Sequence, residues 1–501
     1  MLQNLSGKKA KPATVNVQEV TRKYTPVIGL EVHAQLQTKS KIYSPEANAY
    51  GAEPNTNISV ITLGHPGIMP KLNKKVLEYA IKMGLACNST ISRYNVFDRK
   101  NYFYPDLPKG YQLTQDATPI CVGGHIPIVT NGTGARNIQL NRIHVEEDAG
   151  KSIHVEGEAD SLIDYNRAGT PLIEIVTEPD IHTPEEAAAV LTEVRRLVRY
   201  LNICDGNMEE GSLRCDANIS VKLKAATQLG RKVEVKNMNS IRNVQRACEY
   251  EIKRQIAMLE REETIVSETR TFHADKGTTS GMRTKEELND YRYFPDPDLS
   301  PVEVSDQWLE SIRAAMPALP RAVKEKLMQK YALPEYDAAV LSETREMAEF
   351  FEAVCQLTEE YKAVSNWLMG PIKSTLNDED KEIGQLDLSA EQLAGVIGLV
   401  AQGKVSFSVA SQKLLPALLA SKGQPAGAVL EQENLAQQSD TADLLPMIEQ
   451  VLADMPEKVK AYKNGKKGLV GMFMGELMKR SKGKADPKKA NELLRKVLNE
   501  K

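Results

Sequence analysis

Paired cysteines, long apolar runs and net charge are all scarce in this sequence, and each shortage closes off a class of protein. The six cysteines, Cys87, Cys121, Cys204, Cys215, Cys248 and Cys355, form no CxxC pair and stand singly in apolar or helical patterns. That spacing excludes a zinc ribbon and a disulfide framework, and it suits reduced thiols in a cytoplasmic protein. No stretch approaches the roughly 20 apolar residues of a membrane span, so no membrane partner is expected. Residues 1–26 carry basic side chains without the apolar run of a signal peptide, and they are expected to form a flexible extension. A formal net charge of −3 over 501 residues gives no global attraction to nucleic acid, so any such binding must come from a local patch. Histidine is absent beyond His273, which confines imidazole chemistry to the N-terminal half.

Two phosphate-binding motifs are also missing, although fragments of them occur. Gly150-Lys151-Ser152 resembles the end of a phosphate loop, but Val145 stands where the first glycine is required and three acids precede the string. Gly132-Thr133-Gly134 has Asn137 in place of the third glycine of a dinucleotide fingerprint and reads as a turn.

Residues 142–177 are rich in acids set among isoleucine and valine at period two, the pattern of successive strands. The stretch holds His144, Glu146, Glu147, Asp148, Asp164 and Glu174. Glu174 sits within Leu172-Ile173-Glu174-Ile175-Val176, where an unpaired ionised acid would cost several kcal/mol. It must meet a cation, a metal ion or a proton, and Arg142 and Arg167 are the nearby cations in the sequence. Just upstream, the segment around Asn131-Gly132 has a hairpin signal. The apolar parity changes from Ile138 and Leu140 to Ile143 and Val145, which predicts a bulge near Asn141.

Similar alternation recurs elsewhere. Residues 27–36, VIGLEVHAQL, put Glu31, His33 and Gln35 on one face of a strand. In residues 212–220, every second position is apolar and the others include Arg214, Asp216 and Asn218; residues 232–237 repeat the device. Helices are predicted over residues 71–85, from Pro184 with Thr183 and Glu186 as a capping box, and over 241–261. The predicted fold class is α+β, a concave, mostly antiparallel sheet with helices on one face and charges on the other. Residues 97–115, FDRKNYFYPDLPKGYQLTQ, form a proline-punctuated loop with five aromatics beside Arg99, Lys100 and Lys109. Such a composition suits stacking on unpaired bases or clamping phosphates, and equally a loop pinned to the core by its rings.

Repeated prolines from Pro295 onward place the first domain boundary near residue 300. Beyond it the chain is helical, with helices predicted over 306–316, 321–331, 336–357 and 359–368 and a hinge over 421–425 and 440–443. From Pro456 onward there are 14 Lys or Arg against 5 Asp or Glu, a balance of +9. Gly465, Gly468, Gly471 and Gly475 in this tail are awkward for a helix unless something packs closely there or a phosphate approaches the backbone. The expected division is a domain over 27–300, a helical domain over 301–430 and a basic helical tail over 431–501.

The strings VIGLEVHAQL, DRKNYFYPDLPKGYQ, EEDAGKS, NRAGTPLIEIVTEPD, MEEGSLRCDANIS and DYRYFPDPDL resemble those of the B subunits of bacterial aspartyl/glutamyl-tRNA amidotransferases, and the resemblance runs from about Val27 to the end. It implies a cradle-shaped catalytic domain, a helical domain and a tRNA-contacting tail, working in a heterotrimer with an A subunit that is a glutaminase and with a small C subunit. The implied reaction is ATP-dependent conversion of misacylated Glu-tRNA(Gln), Asp-tRNA(Asn) or both, through an acyl phosphate attacked by ammonia. By resemblance, Mg²⁺ is held by His33, Glu147 and Glu174, with Glu146 the alternative to Glu147. Glu31, Glu210 and Asp216 would complete an acidic surface that binds a second cation or eases deprotonation of ammonium. Lys100, Arg214 and Lys236 would neutralise phosphate or the substrate carboxylate, and Lys100, Lys236 and Asn237 would contact ATP. Some relatives carry a cysteine-based zinc site, whereas residues 44–67 contain no cysteine, so no zinc is expected. A non-catalytic tRNA-binding scaffold and a phosphotransferase acting on a small acid remain as rival readings.

Overall fold

A computed structural model describes residues 23–154, 157, 160–284, 291–436, 441–481 and 485–500. The expected N-terminal extension lies outside the described residues up to position 22, and the first strand begins at Tyr24, ahead of Val27. The chain divides into two units at Leu319/Pro320.

The first unit contains strands β1 (Tyr24–Gln35), β2 (Thr90–Ile91), β3 (Tyr94–Asn95), β4 (Asp98–Asn101), β5 (Tyr111–Thr114), β6 (Cys121–Val122), β7 (His125–Thr130), β8 (Gly134–Glu147) and β9 (Lys151–His154). It continues with β10 (Ser161–Asp164), β11 (Pro171–Thr177), β12 (Leu213–Leu223), β13 (Val233–Lys236), β14 (Glu268–His273), β15 (Thr278–Thr284), β16 (Phe294–Pro295) and β17 (Val302–Glu303). Its helices are α1 (Lys74–Ala86), α2 (Pro184–Tyr200), α3 (Ile241–Glu260) and α4 (Asp306–Ala314). Ten strands form one open sheet in the order β15-β14-β13-β12-β1-β11-β8-β6-β2, with β7 also on β8. Every pair in it is antiparallel except β13 with β14, which α3 connects.

The period-two pattern decides which face is covered. Leu30, Val32 and Ala34 of β1 and Leu213, Ala217 and Ile219 of β12 are fully buried in one core. Val190, Leu191, Val194 and Val198 of α2 and Val244 and Cys248 of α3 enter the same core. Each such Val, Leu or Ile side chain contributes about 1.5–3 kcal/mol on burial. A one-residue slip would turn this set outward, so the apolar face fixes the register and with it the polar face.

The predicted hairpin forms between β7 and β8, and the predicted bulge is present. Val176 opposes Arg142 and Thr177 opposes Leu140, leaving Asn141 as the extra residue. Thr183 caps α2 by accepting from Glu186 N at 3.1 Å. The return half of the expected capping box is displaced, because Glu186 accepts from His182 N at 2.8 Å and pairs with Arg136 at 2.6 Å.

The boundary expected near 300 falls short. β17 pairs with β3, and Leu309 and Ile312 of α4 join the first core, so residues 301–319 belong to the first unit. The second unit is helical and has one core between Leu327 and Leu435 and another between Leu444 and Leu498. The helix expected over 336–357 is two, Glu335–Leu341 and Arg345–Cys355, because Thr344 caps the second by accepting from Met347 N. The hinge expected at 440–443 begins outside the described residues. A Cβ added at Gly468, Gly471 or Gly475 would meet nothing within 4 Å, so close packing does not explain these glycines. Among the described residues, no helix is long and apolar enough to cross a membrane.

Candidate active site

The strand register aligns one polar residue from each of four neighbouring strands. Arg214 on β12 opposes His33 on β1, His33 opposes Glu174 on β11, and Glu174 opposes His144 on β8. Directly opposed residues share a face about 4.5–5.5 Å apart, so pairing alone builds this row. Glu146, two residues past His144, returns to the same face.

Glu174 is the centre of the group. Its Oε2 lies 3.5 Å from His33 Nε2 and 3.2 Å from His144 Nε2, and His144 Nε2 is also 3.2 Å from Glu146 Oε1. Glu146 accepts from Thr114 Oγ1 at 2.8 Å and from Gln112 Nε2 at 3.1 Å. The cation that the sequence demands for Glu174 is thus imidazole rather than arginine; Arg142 lies beside Asp116, and Arg167 beside Asp148. Burial pushes the Glu174 carboxyl up, but the two imidazoles outweigh it and hold the group well below the usual range. His144 responds in kind. Burial alone would lower it, yet Glu146 and Glu174 push it up to about 9. Burial opposes the charge of His33 as well, and Glu174 raises it above its ordinary value.

A second acidic group lies on the same face. Glu31, Asp216 and Glu234 offer ligand atoms within 4.8 Å of one another. Here the counter-charge is lysine, with Lys236 Nζ 2.7 Å from Asp216 and 3.1 Å from Glu234. Burial works against this ammonium, but Asp216 and Glu234 raise its pKa. Glu31 accepts from Asn218 Nδ2 at 2.8 Å, and burial followed by repulsion from Glu174 and Glu234 pushes its pKa up.

Several residues expected here stand elsewhere. Glu147 shares its parity with Val145 rather than with Glu146; it ion-pairs with Lys109 and accepts from Leu113 N at 3.0 Å, so it is turned away from His33 and Glu174. Glu146 takes the place expected of it. Glu210 is exposed in a turn before β12 and belongs to neither carboxylate group. Asn237, held at φ +67°, donates its side-chain amide to Phe272 O at 3.2 Å and so serves the backbone. Arg214 is in the row but already bound to Asp148 at 2.7 Å. Lys100 on β4 stands opposite Gln112, which donates to Glu146; burial opposes the lysine's charge, while Glu146 and Glu174 raise its pKa. Two members were not anticipated as site residues, His144 and Glu234. The signal for each was local: His144-x-Glu146 and Glu234-x-Lys236 are i,i+2 pairs, which a strand places on one face.

The donor set of the first group fits a divalent cation. His33, Glu146 and Glu174 each offer one ligand atom within 4.8 Å of the others, mostly hard oxygen. Deprotonating the two imidazoles would leave the Glu146 and Glu174 carboxylates without the cations that touch them, and a divalent ion restores the balance. Among the described residues, none gives the buried His144 Nδ1 a hydrogen-bond partner on the far side of the ring.

The profile of the family described as GatB/GatE catalytic domain matches residues 26–310, and that described as GatB domain matches residues 349–498. The chain is 47% identical over 477 residues to the aspartyl/glutamyl-tRNA(Asn/Gln) amidotransferase B subunit of Thermodesulfovibrio yellowstonii, covering 95% of this chain and 100% of the relative. It is 49% identical over 481 residues to the protein of the same name from Synechococcus sp. (strain JA-3-3Ab), covering 95% and 98%. With the Salinibacter ruber protein the identity is 45% over 495 residues, covering 95% and 97%. At these identities and coverages, the chain belongs to the family of aspartyl/glutamyl-tRNA(Asn/Gln) amidotransferase B subunits.

Proposed function

We propose that the chain is the kinase and transamidase component of a tRNA-dependent amidotransferase, a glutamine-hydrolysing carbon–nitrogen ligase. It acts on Glu-tRNA(Gln), Asp-tRNA(Asn) or both. The observation that carries this reading is the meeting of His33, Glu146 and Glu174 on the polar face of the sheet, in a chain of this family.

A side-chain carboxylate is a poor acyl donor, so ATP first phosphorylates it and ammonia then displaces phosphate. Phosphoryl transfer asks mainly for positioning and charge neutralisation. His33, Glu146 and Glu174 would hold Mg²⁺, which supplies that neutralisation when bound. His144 keeps both carboxylates paired when the ion is away. Lys100, next to this group, neutralises phosphate or the substrate carboxylate, and Arg214, oriented by Asp148, widens the cationic rim. Glu31, whose carboxyl is shifted toward neutrality, accepts the proton that the attacking ammonia sheds. Lys236, with Asp216 and Glu234, fixes the charge around it.

Ammonia comes from a glutaminase partner, and a further small partner makes up a heterotrimer in the cytoplasm. The chain has six cysteines, all buried, and no serine-rich amidase string, so it has no evident glutaminase of its own. No zinc site is assigned. Residues 27–319 form the catalytic part, and the helical remainder ends in a basic tail from about residue 431 that contacts tRNA. Gly471 and Gly475 leave bare helix backbone there at about 1 kcal/mol each, which close approach of a phosphate offsets.

The decisive experiment measures ATP hydrolysis by the assembled complex with Glu-tRNA(Gln), Asp-tRNA(Asn) and uncharged tRNA. Hydrolysis should require a misacylated tRNA. Rates indifferent to the attached amino acid would replace this reading with a scaffold, or with a phosphotransferase acting on a small acid.

A further inference from the structure

Aromatic residues make up only 5% of the chain, yet several are exposed together beside the acidic group. Phe103 is 82% exposed, Tyr104 50% and Tyr293 40%. Tyr104, Tyr102, Tyr291 and Tyr293 form a chain of edge-on rings, with successive centroids 5.9, 6.1 and 6.0 Å apart. The two segments that supply them are nearly 190 residues apart in sequence.

The surface is built, and its parts are fastened. Asn101 donates from its backbone N to Tyr291 O at 2.9 Å and from its amide to Arg292 O at 2.8 Å. Between the two tyrosines, Arg292 adopts φ +43°, a left-handed backbone that a long side chain rarely takes and that marks constrained sites. The other segment is tied down where Tyr165 Oη donates to Pro105 O at 2.8 Å and Gly150 N to Asp106 O at 2.7 Å. Phe103 lies over Gly110, where an added Cβ would come within 3.0 Å of the ring. Rings that served only to pin a loop would be covered, whereas Phe103, Tyr104 and Tyr293 face solvent and Tyr102 and Tyr291 between them are half-buried.

Continuity with the acidic group says what covers them. Lys100 Nζ lies 5.0 Å from the Tyr291 ring centre, Lys100 opposes Gln112 across β4 and β5, and Gln112 donates to Glu146. Tyr291, in the middle of the ring chain, is therefore linked to the carboxylates through Lys100 and Gln112. The amino acid of an aminoacyl-tRNA is esterified to the terminal ribose, so bringing its carboxylate to that group brings the last unpaired bases onto these rings. Resting on the function proposed above, we propose that Phe103 and the tyrosine chain of residues 102, 104, 291 and 293 stack the unpaired 3′-terminal bases of the tRNA. Stacking on aromatic faces is tolerant of base identity and needs no hydrogen-bond code.

The test uses Phe103→Leu and Tyr293→Leu in the assembled complex, both at exposed positions that leave the core intact. Binding is measured with uncharged tRNA(Gln), either whole or lacking its last three nucleotides, together with KM for ATP. Each variant should bind whole tRNA about tenfold more weakly and the truncated tRNA as the wild type does, with KM for ATP unchanged. An equal loss with truncated tRNA, or no loss with whole tRNA, would overturn the proposal. A raised KM for ATP with tRNA affinity intact would assign the rings to the nucleotide base and overturn it as well. ATP hydrolysis by the wild-type complex that ignored the attached amino acid would refute the proposed function instead, leaving the dependence of tRNA binding on the rings readable.

Discussion

Two carboxylate groups share one face of the sheet and differ in what balances them. Glu146 and Glu174 face imidazoles, while Asp216 and Glu234 face Lys236. An imidazole surrenders its proton within reach of neutral pH, whereas an ammonium whose pKa is raised still further does not. Under the proposed function, the first group would exchange protons for a divalent ion. The second keeps a permanent internal cation, and it leaves Glu31 as the member pushed toward neutrality. Like acids on one surface are thereby set to different tasks by the partner each is given.

Glu174→Gln should break the first group most severely. It removes a proposed ligand and the shared partner of both histidines, and ATP turnover should fall roughly 10²–10³-fold. Unchanged turnover would point to a scaffold. Asp216→Asn should cost less in the same assay, because Lys236 retains Glu234 at 3.1 Å. Lys236→Met, next in size, should convert the second group into the first kind. Without its lysine, the Glu31, Asp216 and Glu234 triple should take up one additional Mn²⁺ by equilibrium dialysis while transamidation falls about 10- to 100-fold. Unaltered Mn²⁺ stoichiometry would show that the lysine is not what excludes an ion there.

Part of this contrast was legible in the sequence. Alternation in β1, β12 and β13 separates the buried face from the polar one, and the change of parity after Leu140 marks the bulge at Asn141. Adjacency was not legible. β1 meets β12 across roughly 180 residues of chain, and only that long-range register sets His33 between Arg214 and Glu174. The misplacement of Glu147 has a local and a distant cause. Its parity with Val145 was readable, but its partner Lys109 arrives from a loop whose path no local pattern reveals. The split at Thr344 was hidden because the apolar spacing continues through it while the cap is a side-chain contact.

The exchange of protons for metal can be read from pH. With His144 at about 9, a cation binding Glu146 and Glu174 must displace that proton at any lower pH. Mg²⁺ affinity should therefore climb as pH rises toward 9 and level off above it. Calorimetry in buffers of different ionisation heat should find proton release at pH 7; none would refute the exchange. In the metal-free chain the sign is opposite. A folded pKa raised from 6.5 contributes stability that is fully present below 6.5 and is lost as pH rises through about 9. Buried Lys41, lowered to about 8, works the other way between about 8 and 10.5, so denaturant titrations should show the fall most cleanly between pH 6.5 and 8.

The smallest expected effect on the metal site belongs to Glu147→Gln. Glu147 adjoins Glu146 in sequence, but the strand turns the two to opposite faces, and the partners of Glu147 are Lys109 and Leu113 N. A glutamine oxygen can still accept from Leu113 N while the charge opposite Lys109 is lost. Breaking a buried ion pair costs about 3–5 kcal/mol. The loss should fall at the low end of that range, because the rings of Tyr43 and Tyr111 remain 5.7 and 5.4 Å from the ammonium. Urea unfolding should register that destabilisation while Mg²⁺ affinity stays within about twofold of wild type, far less than a tenfold change of 1.4 kcal/mol. A large loss of Mg²⁺ affinity in a folded Glu147→Gln protein would return Glu147 to the ligand set, and it would mean that β8 presents its other face to the metal.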